Sequence, residues 1–391
     1  MASGTQQTSP PRPEPRPNFP ARVNQFWQRV TDGLEVDQLW SQFEKDARSS
    51  YRLYYRGLDE SAANVPAGRR FLHTAGQLFW AILEKLTPAR RVLLLAALVM
   101  LLFPMSGFSF RDQAGDIHSA QFDLHLWAGL VLLVVLVLEV ADRVVMKRDL
   151  EIAKDIQTWL LPGAPPQIPG IQITYMTRPA NTVAGDYYDV FPRPGTVPQD
   201  DRVFLIVGDV AGKSIPAAML MATLQASLRT LSNTNTSLPN IVAGLNQYAC
   251  TSSQGGARFT TAFLAELDPA THELVYINAG HNAPMIRRAS GAIERLEAGG
   301  LPLGILGDAK YESGQVALQP GDWLLIFTDG LVEAVNTRGE EFGEERVIPL
   351  LHAGAGASPA ELLKQITTSL DAFVGNTPQH DDVTAMLLKF S

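Results

Sequence analysis

Aspartates lie at the ends of several apolar segments, where their carboxylates could bind divalent cations. Asp209 directly follows "RVFLIVG", Asp329 directly follows "DWLLIFT", and Asp381 and Asp382 directly precede "VTAMLLKF". If the last segment runs antiparallel to the first two, it begins at the edge where they end. Asp186 in "VAGDYYDVF" adds a fourth position. Clustered carboxylates repel one another unless a cation lies between them, so the pattern predicts a metal site.

The chemistry of these residues favours Mg²⁺ or Mn²⁺. All the candidate ligands are oxygen atoms, and the nearby His281 and His380 do not have the spacing of a zinc site. Oxygen ligands select hard divalent ions over zinc or copper. Each aspartate taken alone has an ordinary alternative role as a turn residue or helix cap. The metal hypothesis therefore depends on the four positions occurring together.

The stretch "IVGDVAGKS", residues 206–214, invites comparison with a nucleotide-binding loop. A Walker loop has four residues between its first glycine and the Gly-Lys-Ser, because that number shapes the ring of amides around the phosphates. Gly208 and Gly212 are separated by three residues. The sequence therefore favours a strand that ends in a metal-binding aspartate over a phosphate-binding loop.

Composition excludes several classes of function. The chain has 391 residues and a formal charge of −8 at pH 7, so we expect no nucleic-acid partner, which would call for a basic face. Its one cysteine, Cys250, excludes an intrachain disulfide and a four-thiolate zinc site. The loop after Cys250 lacks the arginine of a thiol phosphatase. We predict that Cys250 is a packed helix residue.

The region from 165 to 391 is predicted to be α+β, with antiparallel sheets flanked by helices. Apolar, β-branched runs between turn residues predict strands at 202–208, 260–267, 273–280, 322–328 and 382–390. Pro216 marks the beginning of one helix. Ser358, Pro359 and Glu361 form the capping-box pattern of another.

Two apolar runs predict a transmembrane helical hairpin over residues 91–142, with a short external loop between its helices. Basic residues flank the pair on its outer sides: Arg90, Arg91, Arg143, Lys147 and Arg148. The positive-inside rule then places both termini and the C-terminal region in the cytoplasm, at the inner or plasma membrane. A buried helical hairpin in a soluble bundle is the alternative.

The remaining segments carry weaker patterns. Residues 1–19 are rich in proline and poor in large apolar side chains, which predicts a disordered tail. Residues 20–90 have the spacing of amphipathic helices of unknown role. Residues 143–162 continue the second apolar run as a linker helix with one apolar stripe: Val145, Ile152, Ile156 and Trp159. This stripe predicts either a parallel homodimer or a single helix packed on the next domain.

Seven blocks of the sequence resemble, in order, the signature segments of a known family. They are "VAGDYYDVF", "VGDVAGKSIPAAMLMA", "RFTTAFLAELD", "YINAGHNAPMI", "LPLGIL", "LLIFTDGLVEAVN" and "HDDVTAMLL". The resemblance is to the SpoIIE/RsbU-type branch of the metal-dependent type 2C (PPM) serine/threonine phosphatases. It covers about residues 150 to 391, including "LEIAKDIQTWLLP" before the catalytic domain.

The resemblance implies a β-sandwich flanked by helices, with a centre of two Mn²⁺ or Mg²⁺ ions at one edge. Asp209 would bridge the ions, with the carbonyl of Val210 binding one of them. Asp329 and Asp382 would hold one ion, and Asp186 the other, directly or through water. The resemblance leaves Asp189 and Asp381 as second choices, either outside the direct ligands or binding an additional metal.

Three further residues are candidates for other roles. His281 lies in the block "NAGH" and is expected to be structural more than catalytic. Lys213 and Arg178 are the candidates for steadying the substrate phosphate.

The resemblance also implies an activity: hydrolysis of phosphoserine or phosphothreonine in a protein by a metal-activated water, without a covalent enzyme intermediate. The substrate in this family is often a phosphorylated anti-sigma factor antagonist. The alternative hypothesis is a non-catalytic signalling receptor or scaffold that uses the same fold as a binding module.

Overall fold

A computed structural model describes residues 76–77, 79–80, 83–103, 106–111, 117–193, 202–212, 215–234, 236–252 and 258–391. The tail predicted at 1–19 and most of the helical region predicted at 20–90 lie outside these residues. The chain divides into two compact units, Met1–Glu139 and Val140–Ser391.

The N-terminal unit contains two antiparallel helices joined by a β-hairpin. Helix α1 (Pro88–Leu102) is followed by β1 (Ser106–Arg111), β2 (Ile117–Phe122) and the beginning of α2 (Leu124–Leu160). Arg90 of α1 donates a hydrogen bond to Glu139 of α2 at 3.2 Å. Near the other end, the His125 ring lies 3.3 Å from the carbonyl oxygen of Leu101. The predicted loop between the two helices thus contains a two-stranded sheet.

Helix α2 is apolar and long enough to cross a membrane. It has 37 residues, and its most apolar 18-residue window has a mean hydropathy of 2.4. Among the described residues it is the one helix that meets this test by length and composition. Helix α1 has 15 residues, fewer than the roughly 17 to 25 that span a bilayer core. Of the two predicted spans, the second thus coincides with a helix that meets this test, and the first coincides with a helix that is too short for it.

The C-terminal unit contains two β-sheets and their covering helices. Its strands within the described residues are β3 (Ile171–Arg178), β4 (Tyr187–Pro192), β5 (Val203–Val210), β6 (Thr260–Asp268), β7 (Glu273–Ala279), β8 (Met285–Arg287), β9 (Ile293–Arg295), β10 (Gly299–Gly300), β11 (Gly314–Ala317), β12 (Trp323–Phe327) and β13 (Val383–Phe390). Its complete helices are α3 (Ile215–Ser232), α4 (Leu238–Ser252), α5 (Asp329–Val332), α6 (Glu344–Ala353) and α7 (Pro359–Val374). A short 3₁₀ turn, Gly354–Gly356, links α6 to α7.

The first sheet has the strand order β10-β7-β6-β5-β4, with β11 also pairing with β7. The second has the order β3-β13-β12-β8-β9. All neighbouring strands run antiparallel except β10 and β7, which are parallel. Strand β12 pairs antiparallel with β13, whereas β5 belongs to the other sheet. The edge predicted to collect aspartates is therefore an edge of both sheets.

Three apolar clusters hold the layers together. The central cluster joins the inner faces of the two sheets and includes Val207 and Phe263 from the first sheet and Ile326 and Leu388 from the second. A second cluster packs α3 and α4 on the first sheet, and a third packs α6 and α7 on the second. This arrangement confirms the predicted α+β sandwich flanked by helices. Because these strands are covered on both faces, nearly every position along them is apolar in the sequence.

A local sequence signal fixes the beginning of helix α7. Ser358 accepts a hydrogen bond from the backbone N–H of Glu361, and the Glu361 carboxylate accepts one from the backbone of Ser358. This is the predicted capping box. Cys250 lies on α4, partly buried, as predicted.

A buried ion cluster joins strands of the first sheet. The Glu266 carboxylate on β6 accepts hydrogen bonds from Arg193 and, at 3.1 Å, from Arg202. Arg193 also donates to the carbonyl oxygen of Thr236. Arg193 and Glu266 are both 6% exposed, so each charge depends on the other for its stabilisation.

We expect Arg193→Met to lower the free energy of unfolding by about 3 kcal/mol, because it leaves the Glu266 carboxylate buried with only the more exposed Arg202 as its partner. For a unit of this size the change corresponds to roughly 6 to 12 °C in melting temperature, measurable by circular dichroism. The double variant Arg193→Met/Glu266→Leu removes both buried charges and should recover most of the loss. A double variant no more stable than the single one would contradict this reasoning.

Candidate metal centre

The aspartates meet at the edge where β5 and β12 end and β13 begins. Asp209 is the penultimate residue of β5, and Asp329 follows β12 by two residues and begins α5. Asp382 directly precedes β13. A Cβ atom on Gly330 would lie 2.0 Å from the carbonyl oxygen of Asp382, so only glycine allows the turn after Asp329 to approach β13 this closely.

The segment before β4, residues 180–186, is fixed by the side chain of Asp382. Its two carboxylate oxygens accept hydrogen bonds from the backbone N–H groups of Ala180 and Gly185, both at 2.6 Å. Gly185 is also packed against the end of β5. A Cβ atom at this position would lie 3.0 Å from the Val210 carbonyl oxygen and 3.7 Å from Asp209 Oδ1. The carboxylate of Asp382 therefore holds this segment beside Asp209.

Asp186 lies at the centre of this arrangement. Its side chain is 2% exposed and accepts a hydrogen bond of 2.9 Å from the Thr328 hydroxyl. Burial raises the pKa of Asp186 well above its usual value, and the neighbouring Asp209 carboxylate raises that pKa further. The environment thus disfavours the ionised form of Asp186 unless a cation lies beside it.

The pKa of Asp209 is raised to about 7, first by burial and then by the carboxylates of Asp329, Asp381 and Asp382, in that order. The same environment extends to Glu333, whose pKa is raised by burial and then by Asp329. Sequence analysis did not identify Glu333. Its position four residues after Asp329, one helical turn further on, was the available signal.

The donor set fits a hard divalent cation. Within the described ranges, no three Asp, Glu, His or Cys side chains already surround one point closely enough to hold an ion. The groups present are nevertheless carboxylate and carbonyl oxygens, the ligands that Mg²⁺ and Mn²⁺ prefer. The pKa of Asp209 is raised by burial and then by repulsion from neighbouring carboxylates, and a bound cation would relieve that repulsion.

Asp189 is held by other contacts. Its Oδ2 atom accepts hydrogen bonds from the Tyr187 hydroxyl at 2.7 Å and from Arg229 Nε at 2.9 Å. Arg229 also lies over the Phe191 ring, 3.8 Å from its centre. These contacts join β4 to α3, which gives Asp189 a structural role away from the Asp209 cluster.

His281 is buried, 7% exposed, as expected for a structural residue. Its Nδ1 atom lies 3.0 Å from the Thr261 hydroxyl, and its backbone N–H donates to the Asn278 side chain at 2.7 Å. Burial lowers the pKa of His281 to about 4, so the ring is neutral at pH 7.

This burial predicts acid sensitivity. The His281 ring takes up a proton near pH 6.5 in the unfolded chain and near pH 4 in the folded one. Its contribution to stability is therefore complete above pH 6.5 and is lost as the pH falls toward 4, by about 3 kcal/mol in total. We expect the difference in unfolding free energy between wild type and His281→Gln to shrink across this range. A difference that stays constant from pH 7 to pH 4.5 would contradict the prediction.

Of the two candidates for binding the substrate phosphate, Arg178 and Lys213, only Arg178 lies within the described residues. Arg178, at the end of β3, forms an ion pair with Asp371 of α7 at 2.5 Å. It lines a cavity of about 110 Å³ together with Gly330 and Asp381, next to the aspartate cluster. Lys213 lies outside the described residues. Arg178 is thus near the cluster, with its charge already shared with a carboxylate.

The fold is that of a type 2C phosphatase domain. The structure of the SiaA-PP2C domain of Pseudomonas aeruginosa superposes on this chain with a TM-score of 0.56 at 22% identity, covering 64% of this chain and 99% of that domain. An identity this low supports the fold alone.

Comparison with related sequences adds information on the type of phosphatase domain that this chain resembles. Residues 199–391 match the family described as stage II sporulation protein E (SpoIIE). Protein IcfG of Synechocystis is 29% identical over 273 residues, which cover 63% of this chain and 42% of IcfG. Phosphoserine phosphatase RsbU of Bacillus subtilis is 29% identical over 246 residues, covering 62% of this chain and 70% of RsbU. The chain thus spans less than half the length of IcfG.

The C-terminal unit therefore has the fold of the metal-dependent type 2C protein phosphatases. Its residues 199–391 are similar to the SpoIIE/RsbU-type branch of that class.

Proposed function

We propose that this protein is a membrane-anchored, metal-dependent phosphatase that hydrolyses phosphoserine or phosphothreonine in a regulatory protein. The observation that carries the proposal is the convergence of Asp186, Asp209, Asp329 and Asp381 at one edge of the sandwich, with the pKa of Asp209 raised to about 7. The match of residues 199–391 to the SpoIIE family and the similarity to a relative named phosphoserine phosphatase support the same activity.

The contacts suggest a role for each residue. Asp209 is the best candidate to bind both ions, because the Val210 carbonyl lies next to it in the chain and both Asp186 and Asp329 interact with its carboxylate. Both oxygens of Asp382 are hydrogen-bonded to backbone amides, which favours Asp381 as the ligand from this pair and Asp382 as the residue that positions Gly185. This assignment reverses the order of preference predicted from the sequence.

Two bound Mn²⁺ or Mg²⁺ ions would supply a water of lowered pKa and offset negative charge on the phosphoryl group. The residues of the chain do the rest. Thr328 fixes the orientation of Asp186 by donating to its Oδ2 atom. The glycine at 330 lets α5 approach β13, which brings Asp329 toward the carboxylates of the other sheet.

The activity can be tested by phosphate release from a phosphoserine peptide by the full chain. We expect release with Mn²⁺, loss of release with EDTA, recovery on addition of Mn²⁺, and little action on a phosphotyrosine peptide. Mn²⁺ binding without phosphate release from any phosphopeptide or phosphoprotein would favour the alternative of a non-catalytic receptor or scaffold.

The natural substrate proposed is a phosphorylated anti-sigma factor antagonist, on the basis of the family resemblance. Purified candidate antagonists, phosphorylated on serine, can be compared with the peptide as substrates. A true substrate should have a kcat/KM well above that of the peptide, because contacts away from the phosphate contribute binding energy. Equal values for antagonist and peptide would contradict the assignment.

Membrane anchoring is supported by α2, with exposed apolar side chains along most of residues 124–146. The ion pair of Arg90 and Glu139 provides a partner for the one acidic residue within the second apolar run. We expect the full chain to sediment with membranes after a high-salt wash and to require detergent for extraction. A chain that stays soluble without detergent would contradict the anchor and the cytoplasmic orientation inferred with it.

Dimerisation through the linker helix, residues 143–162, is the proposed role of its apolar stripe. The four side chains of this stripe are 48% to 80% exposed: Val145, Ile152, Ile156 and Trp159. Because Cys250 is the sole cysteine of the chain, a Cys250→Ser background allows a specific test. Ile152→Cys in that background should form a disulfide-linked dimer under mild oxidation, whereas Glu151→Cys should not.

A further inference from the structure

Gln157 differs from its neighbours on helix α2. Among residues 151–160 it alone is buried, with 6% of its surface exposed. Both the nitrogen and the oxygen of its side-chain amide form hydrogen bonds with the backbone of one residue. Its Nε2 donates to the carbonyl oxygen of Ala184 at 2.6 Å, and its Oε1 accepts from the backbone N–H of Ala184 at 2.9 Å.

The backbone that Gln157 holds lies within the aspartate cluster. Ala184 is followed by Gly185, whose N–H donates to Asp382, and then by Asp186. Gly185 packs against the carbonyl oxygen of Val210. The segment 180–186 is thus attached on one side to β13 through Asp382 and on the other to α2 through Gln157.

A general packing role does not account for this choice of side chain. A leucine or methionine could fill the same space, but the buried N–H and C=O of Ala184 would then lose their partners at a free-energy cost. Gln157 satisfies both groups and allows only one orientation of the Ala184 backbone. Because Asp186 follows two residues later, that orientation determines the position of its Cα and Cβ atoms.

We propose that Gln157 is a positioning residue for the metal centre, acting from the linker helix through the Ala184 backbone on Gly185 and Asp186. This inference rests on the metal centre of the proposed function. Some residues orient a metal ligand without binding the metal themselves. Removing such a residue lowers metal affinity or activity by about 10- to 100-fold. The role of Gln157 should therefore be visible in metal binding itself.

A second glutamine offers a matched control. Gln225 of α3 donates from its Nε2 to the carbonyl oxygen of Leu160, at the end of the same helix α2, at 2.9 Å. Replacing it removes one side-chain amide contact with α2 and leaves the Ala184 backbone untouched. The variants Gln157→Met and Gln225→Met thus separate the orientation of the 180–186 segment from general attachment of the helix.

The test uses the full chain purified in detergent, with Mn²⁺ titrated by calorimetry and backbone amide exchange followed by mass spectrometry. We expect Gln157→Met to weaken Mn²⁺ binding by about tenfold or more and to speed exchange at residues 180–186. Excess Mn²⁺ should restore most of the kcat for a phosphoserine peptide. Gln225→Met should match wild type in Mn²⁺ affinity, and protection of β12 and β13 should show that both variants are folded.

Wild-type Mn²⁺ affinity and unchanged exchange at 180–186 in Gln157→Met would overturn the inference. So would equal losses in the two variants, because these would show that helix attachment alone matters. Mn²⁺ binding by the wild type without phosphate release would overturn the proposed function and leave this inference standing. A wild type that binds no Mn²⁺ would overturn both.

Discussion

Asp209→Asn is expected to lower kcat/KM for a phosphoserine peptide by about 1,000-fold or more while leaving the chain folded. A bound cation contributes several kcal/mol of charge stabilisation in phosphoryl transfer, and each 1.4 kcal/mol is worth about tenfold in rate. Asp209 interacts electrostatically with Asp329, Asp381 and Asp382, so its loss should affect more of the centre than any other single change. The measurement is steady-state phosphate release at saturating Mn²⁺.

Stability provides the control for this variant. In metal-free wild type the pKa of Asp209 is raised to about 7, so its ionisation destabilises the folded state as the pH rises from about 4 to 7. The side-chain amide that replaces the carboxylate in the variant carries no charge. Metal-free Asp209→Asn should therefore melt at or above the wild-type temperature at pH 8. Full retained activity of the variant would contradict the metal assignment. A large loss of stability would contradict the argument that the Asp209 carboxylate destabilises the metal-free fold.

Asp381→Asn and Asp382→Asn are expected to differ in the sign of their effect on stability. Asp381 contributes repulsion at Asp209, so its neutralisation should preserve or raise the melting temperature of the metal-free chain and lower activity by about 100-fold. Asp382 accepts two backbone hydrogen bonds, and its neutralisation turns one accepting oxygen into a donor that faces an N–H group. We expect Asp382→Asn to lower the unfolding free energy by about 1 to 3 kcal/mol.

The two variants should be compared by thermal unfolding without metal and by phosphatase activity across a range of Mn²⁺ concentrations. If Asp381→Asn destabilises the chain while Asp382→Asn does not, the roles assigned to these two residues are reversed. Matching effects of the two variants on both measurements would show that the pair acts as one unit.

The sequence predicted the approximate place of each aspartate because a strand imposes a simple rule. An apolar run predicts a strand, and a polar residue at its end must lie at an edge of the sheet. Asp209 and Asp329 follow this rule directly. The fold class was predictable for the same reason, since the five strands inferred from apolar runs correspond to β5, β6, β7, β12 and β13.

The choice between Asp381 and Asp382 could not be made from the pattern. Adjacent residues at the beginning of a strand point in different directions, and which one faces the cluster depends on contacts with residues about 200 positions away. The distribution of strands between two sheets was hidden for a similar reason. A single sequence shows that β5 and β12 are apolar but not that they belong to different sheets.

Short elements and buried polar contacts were also beyond the sequence pattern. Strands β8 to β11 have two to four residues each, too few to show a period. Gln157 looked like one more polar residue on an amphipathic helix, because its importance comes from the backbone that it meets. Helix α1 ends at Leu102 although the apolar run continues to Phe103 and Pro104 follows, a residue that disfavours helix just before it.

The most direct test of the metal centre is the number of Mn²⁺ ions bound per chain. Equilibrium dialysis of the full chain against Mn²⁺, followed by elemental analysis, should give two ions for wild type and none or one of low affinity for Asp209→Asn. The Asp189→Asn variant should match wild type, because Asp189 is held by Tyr187 and Arg229 away from the cluster. A wild-type chain that takes up no Mn²⁺ at millimolar concentration, or an Asp209→Asn variant that takes up as much as wild type, would contradict the account.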